Sequence, residues 1–110
     1  MGFFTIFAPD GLSDANYARA LKHGPSYMST RRRNHQSLLR AAGFDHVAEF
    51  DVTKEFLVTQ RGWHDGRQRY EDVLIESEGR ALFDERQLDA RLVIEGIEAG
   101  LLRRALFVCR

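Results

Sequence analysis

The sequence predicts an α/β fold in which three short strands alternate with two pairs of helices. Two apolar runs, from Gly2 to Ala8 and from Leu101 to Cys109, are rich in aromatic and β-branched residues, as buried strands are. A similar composition indicates a third strand at residues 45–53. Between the strands, apolar residues recur at the three- and four-residue spacing of a helix. The predicted order is β-α-α-β-α-α-β within a single domain, residues 1–110.

Helix boundaries follow from capping residues. Ser13 is a favourable N-cap for the first helix, and residues 23–25, His-Gly-Pro, end it. A shorter helix is predicted to stop at Gly43. The last helix is predicted to begin at Asp84, with Gln87 completing a capping box.

The remaining helix is predicted to be long and amphipathic, from Lys54 to Glu76. Phe56, Trp63 and Tyr70 recur in it at seven-residue intervals, which places them on one helical face. We expect Trp63 and Tyr70 to lie in the core, an exposed stacking platform being the alternative.

Composition excludes several classes of protein. The 16 basic and 16 acidic residues cancel, so no global field holds the chain on nucleic acid or an anionic membrane. No apolar run approaches the roughly 20 residues of a membrane span, and we expect a cytoplasmic protein. The run Arg31-Arg32-Arg33 is interpreted as solvated, and Cys109 as a buried, inert thiol. The four histidines lack metal-ligand spacing, so no metal site is predicted.

Several segments, in this order, resemble the C-terminal part of class I S-adenosylmethionine-dependent methyltransferases. The segment Leu39-Arg40-Ala41-Ala42-Gly43-Phe44 resembles the family's turn before its sixth strand, here His46 to Thr53. The runs from Phe3 to Ala8 and from Ala105 to Cys109 resemble the fifth and seventh strands. The segment Ile97-Glu98-Ala99-Gly100-Leu101-Leu102-Arg103-Arg104 is similar to a bacterial subgroup with an extra helical pair between strands six and seven.

The resemblance implies the C-terminal half of a Rossmann-like sheet. The family's strand order is 3-2-1-4-5-7-6, so three mixed strands would pair here as 5-7-6, with the last strand antiparallel. The family binds S-adenosylmethionine in its N-terminal half, through an acidic-x-Gly-x-Gly-x-Gly turn. This sequence has no such turn. The cofactor is therefore implied by resemblance alone, and no cofactor-binding residue is assigned.

Three residues are candidates for the acceptor side of such an enzyme: Asp10, His23 and Tyr27. Ligands of open α/β sheets bind at the carboxyl ends of strands, and Asp10 follows the first strand there. We expect residues 23–28 to lie over the same face. The competing interpretation makes Asp10 a turn residue and His23 a helix-end residue. Catalytic residues stay unassigned.

Three functional hypotheses follow. The first is a truncated methyltransferase half that is inactive alone and shapes the acceptor site beside an N-terminal half. The second is a non-catalytic dimerisation or partner-binding module, and the third is a different ligand-binding fold. Under the first two, the strand from Gly2 to Ala8 loses a neighbour and exposes an apolar edge. We expect that edge to mediate self-association or pairing with an N-terminal methyltransferase half.

Overall fold

The computed structural model describes residues 1–30 and 34–110, so the arginine run 31–33 lies outside the described residues. Three strands and five helices occur in that described part, which confirms the α/β class. Their bounds are β1 (Gly2–Phe7), α1 (Asp14–His23), α2 (His35–Ala41), β2 (Val47–Asp51), α3 (Thr53–Arg69), α4 (Glu71–Glu78), α5 (Arg80–Glu98) and β3 (Arg103–Cys109).

The strands form one sheet in the order β1-β3-β2. β3 is antiparallel to both neighbours, with Leu106 opposite Phe4 on one side and Phe50 on the other. The expected mixed sheet is therefore antiparallel in both of its pairings. β1 and β2 run in the same direction, so their carboxyl ends lie at the same edge of the sheet.

Each face of the sheet has its own apolar cluster. On one face, Ile6 of β1 packs with Ala20, Phe56, Val93 and Leu102, which come from α1, α3, α5 and the turn before β3. On the other face, the side chains of Ala105, Phe107 and Cys109 from β3 are buried against residues of β1, α2 and β2. Cys109 is fully buried and unbridged, as predicted.

The predicted long helix is wrong in extent and in orientation. It divides at Tyr70 into α3 and α4, and this bend allows both helices to pack on α5. Trp63 and Tyr70 are 64% and 59% exposed, so they do not lie in the core. Phe56, on the same helical face, is buried against the sheet, but the molecule is 51 Å long and α3 continues past the strands. The seven-residue spacing thus identifies one face of the helix, but it does not show how far along that face the sheet packs.

Helix starts are confirmed at Ser13 and corrected at Asp84. The Ser13 hydroxyl accepts a hydrogen bond from the Asn16 N–H at 3.1 Å. α5 begins at Arg80, and Gln87 is buried within the helix instead of capping it. Its side-chain amide donates to the His64 carbonyl at 3.1 Å, a contact between helices that spacing along one helix does not predict. No helix in residues 1–30 and 34–110 has the length and hydropathy to cross a bilayer.

Candidate functional site

A cavity of about 350 Å³ lies at the edge where β1 and β2 end. This is the position at which open α/β sheets bind ligands. We call it the carboxyl-edge cavity. It is lined by Phe7, Pro9, Asp10, Asn34, Glu49, Asp51, Arg103 and Ala105.

The carboxyl-edge cavity carries three carboxylates, Asp10, Glu49 and Asp51, against the guanidinium of Arg103. Arg103 Nη1 lies 3.8 Å from Asp51 Oδ2, and Glu49 Oε2 accepts from the Gln36 amide at 3.0 Å. Hydrogen bonds from the side chain and backbone N–H of Thr53 lower the pKa of Asp51, and Arg103 lowers it further. The cavity therefore suits a ligand that is positively charged or rich in hydrogen-bond donors.

A histidine that the sequence analysis set aside lies beside this cavity. The His35 ring packs 5.0 Å from Phe7 and 5.6 Å from Phe107, and its Nε2 lies 3.0 Å from Ser29 Oγ. Burial lowers the pKa of His35, while Glu49 and Asp10 act in the opposite direction. The net effect of burial favours the neutral form of the His35 ring. Its contacts come from separate segments, so no local spacing in the sequence marks it.

The structure separates the three predicted site residues. Asp10 lines the carboxyl-edge cavity, as its place after β1 predicted. His23 and Tyr27 instead share a different cleft, of about 630 Å³, between the end of α1 and helices α3 and α5. The expectation that residues 23–28 lie over the same face as Asp10 is therefore not met. Gly24, which follows α1, packs closely on Met28 and Leu102, and a side chain there would clash with them.

The contacts of His23 and Tyr27 favour different roles. His23 Nδ1 lies 3.0 Å from the Leu92 carbonyl oxygen, so its ring N–H ties the end of α1 to α5. This contact favours the interpretation of His23 as a structural residue at the end of α1. Tyr27 is 79% exposed, and besides the cleft it lines a cavity of about 280 Å³ beside Phe4, Thr5 and Ile6 of β1. It therefore lies near the outer edge of the sheet.

The described residues do not fit S-adenosylmethionine. The turn after β1, Pro9-Asp10-Gly11, has one glycine, at φ +83°, and a Cβ added there would meet open space. It therefore lacks the repeated glycines of the family's cofactor turn, and none of the strands in the described ranges leads into a glycine-rich turn. No cluster of three potential metal ligands occurs in that part of the chain either.

No protein-family model matches this chain, and no curated protein matches it. Its function is therefore inferred from its own residues and geometry.

Proposed function

We propose that this chain is the C-terminal half of a class I S-adenosylmethionine-dependent methyltransferase fold, which supplies acceptor-side and structural elements and is inactive alone. The sheet order carries the proposal. β3, the last strand, lies between β1 and β2 and is antiparallel to both. This order supports a correspondence of β1, β3 and β2 with the family's fifth, seventh and sixth strands.

The turn before β2 gives further support. Gly43 adopts φ +108°, which favours glycine, and the Phe44 N–H donates to the Leu39 carbonyl at 3.3 Å. Phe44 and Leu39 then pack on the cluster of β3. The Ala-Gly-Phe segment that resembles the family's turn is thus a helix end leading into the strand. An extra helical region, α3 to α5, follows between β2 and β3.

In this proposal the carboxyl-edge cavity borders the methyl acceptor. Asp10, Glu49 and Asp51 face it, so the acceptor is an amine, a cation or a molecule with several hydrogen-bond donors. Asp10 remains an acceptor-side residue. His23 becomes a structural residue because its ring is tied to Leu92.

The other half of the enzyme would join at β1. Met1 and Cys109 exchange two backbone hydrogen bonds, so by the alternation of antiparallel ladders Gly2, Phe4 and Ile6 turn their backbone groups outward. Phe4 is also 53% exposed. An apolar strand edge of this kind recruits another strand. We propose that a strand of the N-terminal half adds there, the alternative being a second copy of this chain.

Reconstitution tests this function. The chain, an N-terminal half taken from the coding sequence upstream, and their mixture are each titrated with S-adenosylmethionine and assayed for methyl transfer to amine acceptors. We expect the chain alone to bind no cofactor and the mixture to transfer methyl groups. Asp10→Asn in the mixture should raise the acceptor KM more than it changes cofactor affinity. Cofactor binding by the chain alone, or an inactive mixture, would contradict the proposal.

A non-catalytic partner-binding module is the second candidate function. It is favoured by the exposure of Trp63, Tyr70 and Val73, three large side chains on α3 and α4 and at the bend between them. A mixture that assembles but transfers no methyl group to any acceptor would support this module over the enzyme.

A further inference from the structure

The outer face of α3 and α4 carries a groove of about 570 Å³ with a largely apolar lining. Trp63, Tyr70 and Val73 are each about 60% exposed along it. They are seven and three residues apart, so they form a continuous stripe. The groove is lined by Thr59, Gly62, Trp63, Gly66, Arg67, Tyr70, Val73 and Leu74.

Two glycines form the low side of this groove. A Cβ added at Gly62 or Gly66 would meet no atom within 4 Å. Each glycine in a helix interior costs about 1 kcal/mol relative to alanine. Packing within the described chain does not explain that cost. The close approach of another helix to α3 would account for it.

The exposed area matches what a stable dimer needs. Trp63, Tyr70 and Val73 together expose on the order of 350 Å² of mostly apolar surface, taking about 150–250 Å² for each aromatic side chain. A standard interface buries roughly 800 Å² per partner, of which about 60% is apolar. These three side chains therefore supply more than half of the apolar part of one such interface.

The same face carries a ridge formed by Trp63 and Tyr70 and a furrow formed by Gly62 and Gly66. A ridge and a furrow on one face make that face complementary to itself. A twofold dimer requires this property, because one patch must bind an identical patch. The net charge of zero leaves no overall repulsion between two copies. We propose that a second copy of this chain packs on the groove, α3 against α3, with Trp63 of each copy over the Gly62–Gly66 furrow of the other.

Sedimentation velocity of the full chain over a range of concentrations tests the proposal. We expect a dimer that Gly66→Leu weakens at least tenfold. The new side chain enters open space within one chain, so the fold is kept, but it fills the furrow. Trp63→Ser should weaken the dimer similarly and provides a second variant should Gly66→Leu misfold. Leu88→Ser is the matched control, because Leu88 is 47% exposed on α5 and does not line the groove.

Three outcomes would overturn this interface. The first is a wild-type chain that stays monomeric at high micromolar concentration. The second is a dimer whose affinity neither Gly66→Leu nor Trp63→Ser changes. The third is a dimer that Phe4→Lys abolishes while both groove variants keep it, which would place the interface at β1. None of these measurements involves cofactor or methyl transfer, so the outcome is independent of the proposed enzymatic function.

Discussion

The backbone N–H of Ser29 donates to the carbonyl oxygen of Ile6 at 2.8 Å, on the edge of β1 that faces away from β3. The segment after α1 thus caps this edge near its carboxyl end. The edge was expected to be open from Gly2 to Ala8, but the contact leaves Gly2 and Phe4 as the residues whose outward groups can pair with another strand. A partner strand is therefore confined to the first few residues of β1.

Phe4→Lys is expected to weaken binding of an N-terminal half at least tenfold, because it places a charge on the part of the β1 edge that is still open to a partner strand. The fold should lose only about 1 kcal/mol, since Phe4 is half-exposed and its main partner is the Arg104 guanidinium, 4.3 Å from the ring centroid. Ile6→Lys is a poor test, because Ile6 is buried and the variant would unfold. Calorimetry measures the affinity. Leu88→Lys is the control, because Leu88 is exposed on α5, and equal losses from both variants would place the contact elsewhere.

Gly96→Ala is expected to destabilise the chain. A Cβ at Gly96 would lie 2.7 Å from Leu102 Cδ1 and 2.9 Å from His23 Cβ, where α5 approaches α1 and the turn before β3. Overpacking of this kind costs roughly 1–3 kcal/mol, more than the gain of about 1 kcal/mol in helix propensity. Gly62→Ala, which meets open space, should instead stabilise. Urea midpoints measured at low protein concentration compare the two, and a stabilising Gly96→Ala would refute the close packing.

Glu78→Ala is expected to cost about 3 kcal/mol of unfolding free energy, as breaking a buried ion pair does. Glu78 joins the helices by accepting from Arg67 Nη2 at 2.5 Å and Arg86 Nη1 at 2.6 Å, and its side chain is 10% exposed. Glu98→Ala is the matched control. Its pair with Arg61 is about half exposed on both sides, so its loss should cost less than about 1 kcal/mol. Similar midpoints for the two variants in chemical denaturation would show that Glu78 does not join the helices.

Stability is expected to fall as the pH drops below about 6.5, the pKa of an unfolded histidine. Burial lowers the pKa of His35 in the folded chain, so in that range the unfolded state binds more protons and is stabilised relative to the folded state. The loss levels off below the folded pKa of His35. Unfolding temperatures between pH 7 and pH 5 measure this slope. His35→Phe should flatten the dependence of the unfolding temperature on pH. His46→Gln is the control, because His46 is exposed, and it should keep the slope. If both variants show the same slope, other groups cause the pH dependence.

The strands and most helix ends could be predicted because their signals are local. Ser13 and Gly43 mark helix ends through hydrogen bonding and backbone conformation that depend on a few neighbouring residues. The exposure of Trp63 and the burial of Gln87 could not be predicted from the sequence, because each depends on how far one helix extends along another element. The candidate site was predicted in part. Asp10 follows from its place after a strand, but His35 and Glu49 come together through the sheet and α2.

Hydrogen exchange at the Gly2 and Phe4 amides tests most directly the proposal that an N-terminal half completes the sheet of this chain at β1. Both N–H groups face outward at the sheet edge, so they should exchange rapidly in the chain alone. Mixing with the N-terminal half should protect both amides, while amides paired within β3 keep their rates. Rapid exchange at Gly2 and Phe4 in a mixture that has assembled would contradict the claim.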